Sequence, residues 1–298
     1  MRPLITTLFA VGLLFLAAAW SDTQTASTTA RELQVQQGEQ NPWTHLKLNN
    51  ERKNFQFVIV TDRTGGHREG VFSGAVDKIN LMQPEFVMSV GDLIEGGTED
   101  TTQLQKEWGE FEGMVKRLEM PFFYVSGNHD ISNLVMERLW NKKFGRSFYH
   151  FRYHDVLFLC LNTEQLPRLP AAKYRITEEQ QKWVAHVLQQ NQDVRWTMVF
   201  LHKPVWTYNG DHEQNGWAAV ERALGDRKFT AFAGHHHKYQ RLERNGREFY
   251  SLATTGGASK LRGKAQGEFD HVVWVTVNDD GPVLANLLLD GIESKNIR

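Results

Sequence analysis

Short, continuous apolar runs recur along this chain, and each is followed by polar residues. Unbroken apolar runs of this length are typical of strands that are covered on both faces of a sheet. We therefore predict buried strands that end where the polar residues begin. The clearest runs are residues 55–61, 86–90, 121–123, 197–201 and 229–233.

Between these runs, apolar residues return at helical spacing. Phe72, Ala75, Val76 and Ile79 mark one helix, and a second apolar face runs from Leu104 to Leu118. Thr177 is placed to cap a further helix, with Gln180 as its capping-box partner. Two further helices are predicted over 132–143 and 216–224, and a hairpin is predicted around His154-Asp155. Strands are predicted over 248–253, 272–277 and 283–289.

The order of these elements predicts an α/β fold. Strand and helix alternate in the first part of the chain, and the end is mostly strand. Short connections favour one domain of stacked layers, in which two sheets lie between helices.

The N-terminal segment has the pattern of a signal peptide. Arg2 is followed by an apolar stretch over 4–19 and then by small residues, so we predict cleavage after residue 21 and export to a periplasmic or extracellular space. The alternative is an uncleaved membrane anchor, although the stretch is shorter than the roughly 20 residues that a spanning helix needs. Residues 22–53 are polar and are predicted to form a flexible linker before a domain over 54–298.

Composition and charge narrow the function classes. The chain has 298 residues, of which 41% are hydrophobic and 23% charged, with a net charge of -1. This is globular composition, and the near-neutral charge disfavours nucleic acid as a partner. Cys160 is the single cysteine, so an intramolecular disulfide is impossible. Oligomeric state is left open.

Polar side chains gather at the predicted strand ends. Because the carboxyl ends of strands line the ligand crevice in open α/β sheets, these side chains are expected to meet. Their oxygen and nitrogen donors suit divalent cations such as Zn, Mn or Fe. The five clusters are Asp62, Gly91-Asp92, Gly127-Asn128-His129-Asp130, His202 and Gly234-His235-His236-His237.

These motifs resemble those of the calcineurin-like metallophosphoesterases. Gly-Asn-His-Asp and Gly-His-x-His are the specific ones, and the matching stretch covers 62–237. The resemblance implies a four-layer αββα sandwich of two mixed sheets flanked by helices, with two divalent metal ions. It assigns Asp92 as the bridge between both ions. It assigns the other metal ligands as Asp62 and His237 for one ion, and Asn128, His202 and His235 for the other.

The resemblance also implies an activity. A metal-activated hydroxide would attack a phosphomonoester or phosphodiester, and His129 would give the leaving group its proton. Asp130 would steady His129.

The first motif departs from the family pattern. Thr64 stands where the family usually carries a histidine ligand. We expect His67 to fold back as the replacement, while Glu95 or water are the alternatives. Arg63 is expected to contact a substrate phosphate or to form a structural ion pair. The departure also leaves a second function open, that of a metal-binding, catalytically weak protein that recognises a phosphorylated ligand.

The histidines outside the motifs are interpreted as structural. They are His150, His154, His186 and His271.

Overall fold

The computed structural model describes residues 33–46, 54–164, 175–208 and 213–294. The signal peptide predicted for residues 1–21 lies outside these ranges. None of the helices in the described ranges is both long enough and apolar enough to cross a bilayer.

One sheet has six strands in the order β13-β12-β11-β2-β3-β4. Strands β2, β3 and β4 are parallel, and β11 is antiparallel to β2. The strands are β2 (Phe55–Val60), β3 (Val87–Ser89), β4 (Phe122–Phe123), β11 (His271–Asn278), β12 (Gly281–Leu288) and β13 (Gly291–Ser294).

The other sheet has seven strands in the order β1-β5-β6-β7-β8-β10-β9. Strands β6, β7, β8 and β10 run parallel, and the others are antiparallel. The strands are β1 (Gln34–Val35), β5 (Tyr149–Tyr153), β6 (Val156–Cys160), β7 (Trp196–Phe200), β8 (Phe229–Ala233), β9 (Gln240–Arg244) and β10 (Arg247–Ser251).

Within the described ranges, five α-helices cover the outer faces of the two sheets. They are α1 (Val71–Met82), α2 (Thr101–Val115), α3 (Leu134–Phe144), α4 (Glu178–Gln190) and α5 (Trp217–Leu224). An aromatic-rich core lies between the sheets, a second core packs α1–α3 on the six-stranded sheet, and a third packs α4 and α5 on the seven-stranded sheet. The predicted four-layer αββα sandwich is confirmed.

Residues 33–46 fall inside the linker predicted over 22–53, yet they pack against the domain. β1 pairs with β5, and the ring of Trp43 lies 6.2 Å from Phe123 and 5.8 Å from Tyr149. Leu33, Val35 and Trp43 are partly buried against the core between the sheets. Burial of these apolar side chains explains why a segment of polar composition packs on the domain. The packed part of the chain thus begins before residue 54.

Some elements differ from the prediction. β9 is mostly exposed and rich in charge, and it carried no apolar run to predict it. Gln180 does not complete a capping box, because its side chain bonds the backbone of Asn162; Thr177 still caps α4 through the amide of Gln180. The turn at His154 is observed, with φ at 52°.

Candidate metal centre

The predicted metal ligands lie beyond the carboxyl ends of parallel strands in both sheets. β2, β3 and β4 deliver them from the six-stranded sheet, and β7 and β8 from the other. The structure brings five acidic and histidine ligands together in two groups that share one carboxylate, and the ligand atoms within each group lie within 4.8 Å of one another. The groups are Asp92, His202 and His235, and Asp62, Asp92 and His237.

His202 is the centre of the first group. Its Nε2 lies 3.2 Å from Asp92 Oδ2, 3.1 Å from Asn128 Oδ1 and 3.2 Å from His235 Nδ1. Its Nδ1 lies 2.9 Å from the carbonyl of Val90, which only accepts, so Nδ1 carries the donated proton. In neutral His202, Nε2 then carries a lone pair, and it faces the three atoms just named, each of which can also act as an acceptor. Such a set is suited to a cation.

His237 is oriented in the same way in the second group. Its Nδ1–H donates to the carbonyl of Ala258 at 2.6 Å, and its Nε2 lies 3.4 Å from Asp62 Oδ1. Asp62 is fully buried, and its Oδ2 has no hydrogen-bond partner. A buried carboxylate oxygen without a partner is costly unless a cation is bound, so the residues present fit a metal ion here. Gly234 is required beside it, because any Cβ would overlap this oxygen.

The charges of the site favour a cation. Burial lowers the pKa of His202, but the carboxylates of Asp92 and Asp62 outweigh it and raise that pKa to about 9. Burial and then the charge of His202 lower the pKa of His235 to about 2. Burial raises the pKa of Asp92, but His202 and His129 bring it below its usual range. The carboxylates of Asp92 and Asp62, which attract a proton to His202, would also attract a metal ion.

Three of the proposed ligands have left-handed backbone conformations. The φ angles are 57° at Asp92, 70° at His235 and 51° at His237. Such conformations cost about 1 kcal/mol or more for non-glycine residues and concentrate at functional sites. The sequence does not show this strain.

His129 lies beside the shared carboxylate. Its backbone N–H donates to Asp92 Oδ1 at 2.9 Å, and its Nδ1–H donates to the carbonyl of Glu95 at 2.7 Å. Because that carbonyl fixes the tautomer, Nε2 is the nitrogen left for a substrate.

The expectation that Asp130 steadies His129 stays a prediction, and the hydrogen bonds of the Asp130 carboxylate are to backbone amides. The Asp130 carboxylate is buried and is used by backbone amides, whereas the imidazole of His129 is held by Glu95. Burial and then the charge of Asp92 raise the pKa of Asp130. The amides that donate to Asp130 are those of Asp92, Leu93, Ile94 and Gly127.

Arg63 forms the structural ion pair that was the alternative to a phosphate contact. Its side chain is 5% exposed, and it donates to the carbonyl of Leu93 at 3.1 Å and to Glu110 at 2.5 Å. These contacts occupy the guanidinium on the side of α2, where it also lies against Phe111.

His67 is not brought to the metal ligands. Its Nδ1 lies 2.9 Å from Glu95 Oε1, and neither residue belongs to either ligand group of the described chain. In the described group around Asp62, His237 is therefore the histidine, and no second histidine takes the ligand position at which Thr64 stands.

Residues after the last motif hold the site, and no sequence pattern indicated them. The backbone amides of Thr255 and Gly257 both donate to the carbonyl of Asp62 at 3.0 Å. Arg68 fixes this segment, because its guanidinium bonds Gly257 O at 2.8 Å and both oxygens of Asp270 at 2.6 Å. Backbone acceptors and long-range ion pairs have no local sequence signature.

The structural interpretation of His271 agrees with its contacts. Its Nδ1–H lies 2.8 Å from Asn286 Oδ1, and its Nε2 accepts the backbone N–H of Ala253 at 3.1 Å. It is fully buried and belongs to neither metal-ligand group of the described residues.

Curated relatives match part of the chain. A serine/threonine-protein phosphatase CPPED1 from Rattus norvegicus is 29% identical over 197 residues, which is 57% of this chain and 60% of the relative. The protein of the same name from Mus musculus is 27% identical over 192 residues, with the same coverage of 57% and 60%. The chain thus spans about three fifths of the length of these relatives.

Solved structures share the fold. A dimetal phosphatase from Danio rerio superposes with a TM-score of 0.61 at 14% identity, covering 82% of this chain and 99% of that one. A purple acid phosphatase from yellow lupin gives 0.60 at 14% identity, covering 81% and 52%. The model of the calcineurin-like phosphoesterase family matches residues 44–239, which include every proposed ligand. On the family match and the fold, the resemblance seen in the motifs is confirmed, and the chain belongs to the calcineurin-like phosphoesterase family.

Proposed function

We propose that this chain is a metal-dependent phosphoesterase that hydrolyses a phosphomonoester or phosphodiester. The observation that carries the proposal is the pair of ligand groups that share Asp92, together with the unpartnered buried oxygen of Asp62. Two divalent ions such as Mn, Zn or Fe, bound by Asp62, Asp92, Asn128, His202, His235 and His237, would lower the pKa of water and neutralise phosphoryl oxygens.

The protein residues would orient the reaction. Asp92 is fixed between His202 and the backbone of His129, so the shared carboxylate and the proposed proton donor keep a constant separation. As an imidazolium, His129 would give its Nε2 proton to the leaving oxygen and become neutral, while its Nδ1–H stays bonded to Glu95 O. Asp130 would act indirectly, by holding the loop that carries Asp92.

A cleft next to the ligands gives the substrate access. Its volume is about 630 Å³, and it is lined by His235 of the first ligand group and His237 of the second. Lys260 and Arg262 also line it, and Arg262 is paired with Glu268. The cleft is large enough for a small phosphoester with its leaving group.

Export is part of the proposal. It rests on the apolar stretch over 4–19 and the small residues after it. N-terminal sequencing of protein recovered from a secreting host should find a start after residue 21; a start at Met1 in a membrane fraction would support the anchor instead.

The experiment that tests the activity combines metal analysis with a phosphoester screen. The purified chain, loaded separately with Mn, Zn and Fe, should hydrolyse p-nitrophenyl phosphate or bis-p-nitrophenyl phosphate and should bind two ions. The second candidate, a catalytically weak phosphate-binding protein, is favoured by Thr64 and by the engagement of His67 with Glu95. Phosphate binding without turnover of either ester would select it.

A further inference from the structure

Glu95 joins two walls of the candidate site. Its main-chain oxygen accepts from His129 Nδ1 at 2.7 Å, and its carboxylate contacts the loop over residues 64–67. The carboxylate accepts the backbone N–H groups of Gly66 at 3.0 Å and His67 at 2.8 Å, and it pairs with the His67 imidazole at 2.9 Å. Three donors from two adjacent residues thus converge on one side chain.

The loop that Glu95 holds lies directly against the site. A Cβ added to Gly65 would be 3.2 Å from Cε1 of His237 and 3.5 Å from Nε2 of His129. The Gly65 backbone therefore fills the space between a proposed metal ligand and the proposed proton donor. Gly65 and Gly66 have φ angles of 82° and 92°, which turn the next two amides toward Glu95.

The carboxylate stays charged in this arrangement. Burial raises the pKa of Glu95, but the hydroxyl of Thr64 and the donors of Gly66 and His67 together lower it to about 2. An ionised acceptor bonded to two amides forms stronger hydrogen bonds than a neutral one. We call the contacts of the Glu95 carboxylate with Gly66 and His67 the clamp. The clamp is thus formed across the working pH range of most phosphoesterase assays.

We propose that Glu95 is a positioning residue of the phosphoesterase site, which fixes the 64–67 loop against His129 and His237 rather than binding a metal ion. This inference rests on the proposed function. On this view, no other ligand replaces the histidine that the family usually carries at position 64. The 64–67 loop instead forms a rigid wall of the site. Glu95 holds that wall with its carboxylate and fixes the tautomer of His129 with its main-chain oxygen.

The test compares Glu95→Ala, Glu95→Gln and His67→Ala with the matched control Glu99→Gln, a nearby substitution on the same connection before α2. Hydrogen exchange of the 64–70 peptide reports on the clamp without any substrate. We expect Glu95→Ala to exchange the Gly66 and His67 amides at least about tenfold faster, and Glu95→Gln to be intermediate because it keeps one acceptor oxygen. His67→Ala should have a smaller effect, since both backbone amides remain bonded.

Metal content and kinetics then separate positioning from ligation. Glu95→Ala should retain both metal ions, and its kcat with p-nitrophenyl phosphate should fall about tenfold or more while KM stays within about twofold, since misplaced groups weaken transition-state contacts. Loss of one ion in Glu95→Ala would make Glu95 a ligand and overturn the proposal. Unchanged exchange, or unchanged kcat with faster exchange, would overturn it as well. A wild-type chain that hydrolyses no ester would instead defeat the proposed function, and the exchange and metal data would still decide on the clamp.

Discussion

The carboxylate of Asp130 accepts the backbone N–H of Asp92 at 2.9 Å, so one acidic residue holds another in place. The same carboxylate accepts from Gly127 at 2.8 Å and from Leu93 at 2.9 Å. Two ligand-bearing loops, one after β3 and one after β4, are thereby joined through a single buried side chain. The fourth residue of the Gly-Asn-His-Asp motif thus contacts the backbone of Asp92, the proposed shared ligand.

Asp130→Asn should weaken this connection. The amide nitrogen of Asn would face backbone N–H donors, which leaves at least one buried donor unsatisfied and costs about 1–3 kcal/mol. Urea unfolding should show that loss, and calorimetric titration with Mn should show weaker binding. Asp100→Asn is the control, because Asp100 caps α2 from an exposed position where Asn also caps well. Equal stability and equal metal affinity in Asp130→Asn would contradict the assignment.

His129→Ala should separate proton transfer from metal binding. A general acid contributes about 10²–10⁴ in rate, so kcat for an alkyl phosphate should fall by that order. The imidazole does not belong to either ligand group, so elemental analysis should find wild-type metal content. His186→Ala, on the exposed face of α4, serves as the control. Full turnover in His129→Ala would remove this residue from the mechanism.

Asp92 and Asp62 should differ in how many ions they control. Because Asp92 belongs to both ligand groups and Asp62 to one, Asp92→Asn should reduce the binding of both ions, whereas Asp62→Asn should release one. Elemental analysis after dialysis distinguishes these outcomes, with the exposed Asp226→Asn as reference. If Asp62→Asn lost both ions, the two groups would not be separate sites.

His271 should make stability depend on pH. Burial lowers its pKa to about 4 from an ordinary 6.5, and Asn286 and Ala253 bond its neutral form. Between these values the unfolded chain binds more protons, so this contribution is complete above pH 6.5 and is lost as the pH falls toward 4. The difference corresponds to roughly 3 kcal/mol.

Urea unfolding across that range measures the effect. His271→Gln should be less stable at neutral pH and should show a flatter pH dependence than the wild type, while the exposed His186→Gln should keep the wild-type slope. An equally steep slope in His271→Gln would assign the dependence to other groups.

The positions of the candidate ligands at the strand ends could be predicted from the sequence, because each follows an apolar run that ends at a sheet edge. Asp62 and His202 are examples, and both lie where the runs end. The order of the elements predicted two sheets between helices, and the family resemblance implied the four-layer αββα arrangement. What the pattern predicts is which residues share an edge of the fold.

The connections among those residues could not be predicted. His129 is held by a carbonyl, and a carbonyl belongs to every residue, so nothing in the sequence marks Glu95 as its acceptor. His129 and Asp130 lie in a turn, and backbone amides engage the carboxylate of Asp130 in place of the ring of His129. The pairing of Arg68 with Asp270 spans two hundred residues of sequence, and no local pattern encodes it.

The family match ends at residue 239. Beyond it lie the carbonyl of Ala258, which orients His237, and the amides of Thr255 and Gly257, which donate to the carbonyl of Asp62. β11 also lies beyond that point, and it occupies the middle of the six-stranded sheet beside β2. The segment that the family model matches is therefore smaller than the folded domain. A chimera or truncation designed along the family boundary would leave β2 with an open edge and His237 without its orienting acceptor, so gene fusions and expression boundaries should extend through β12.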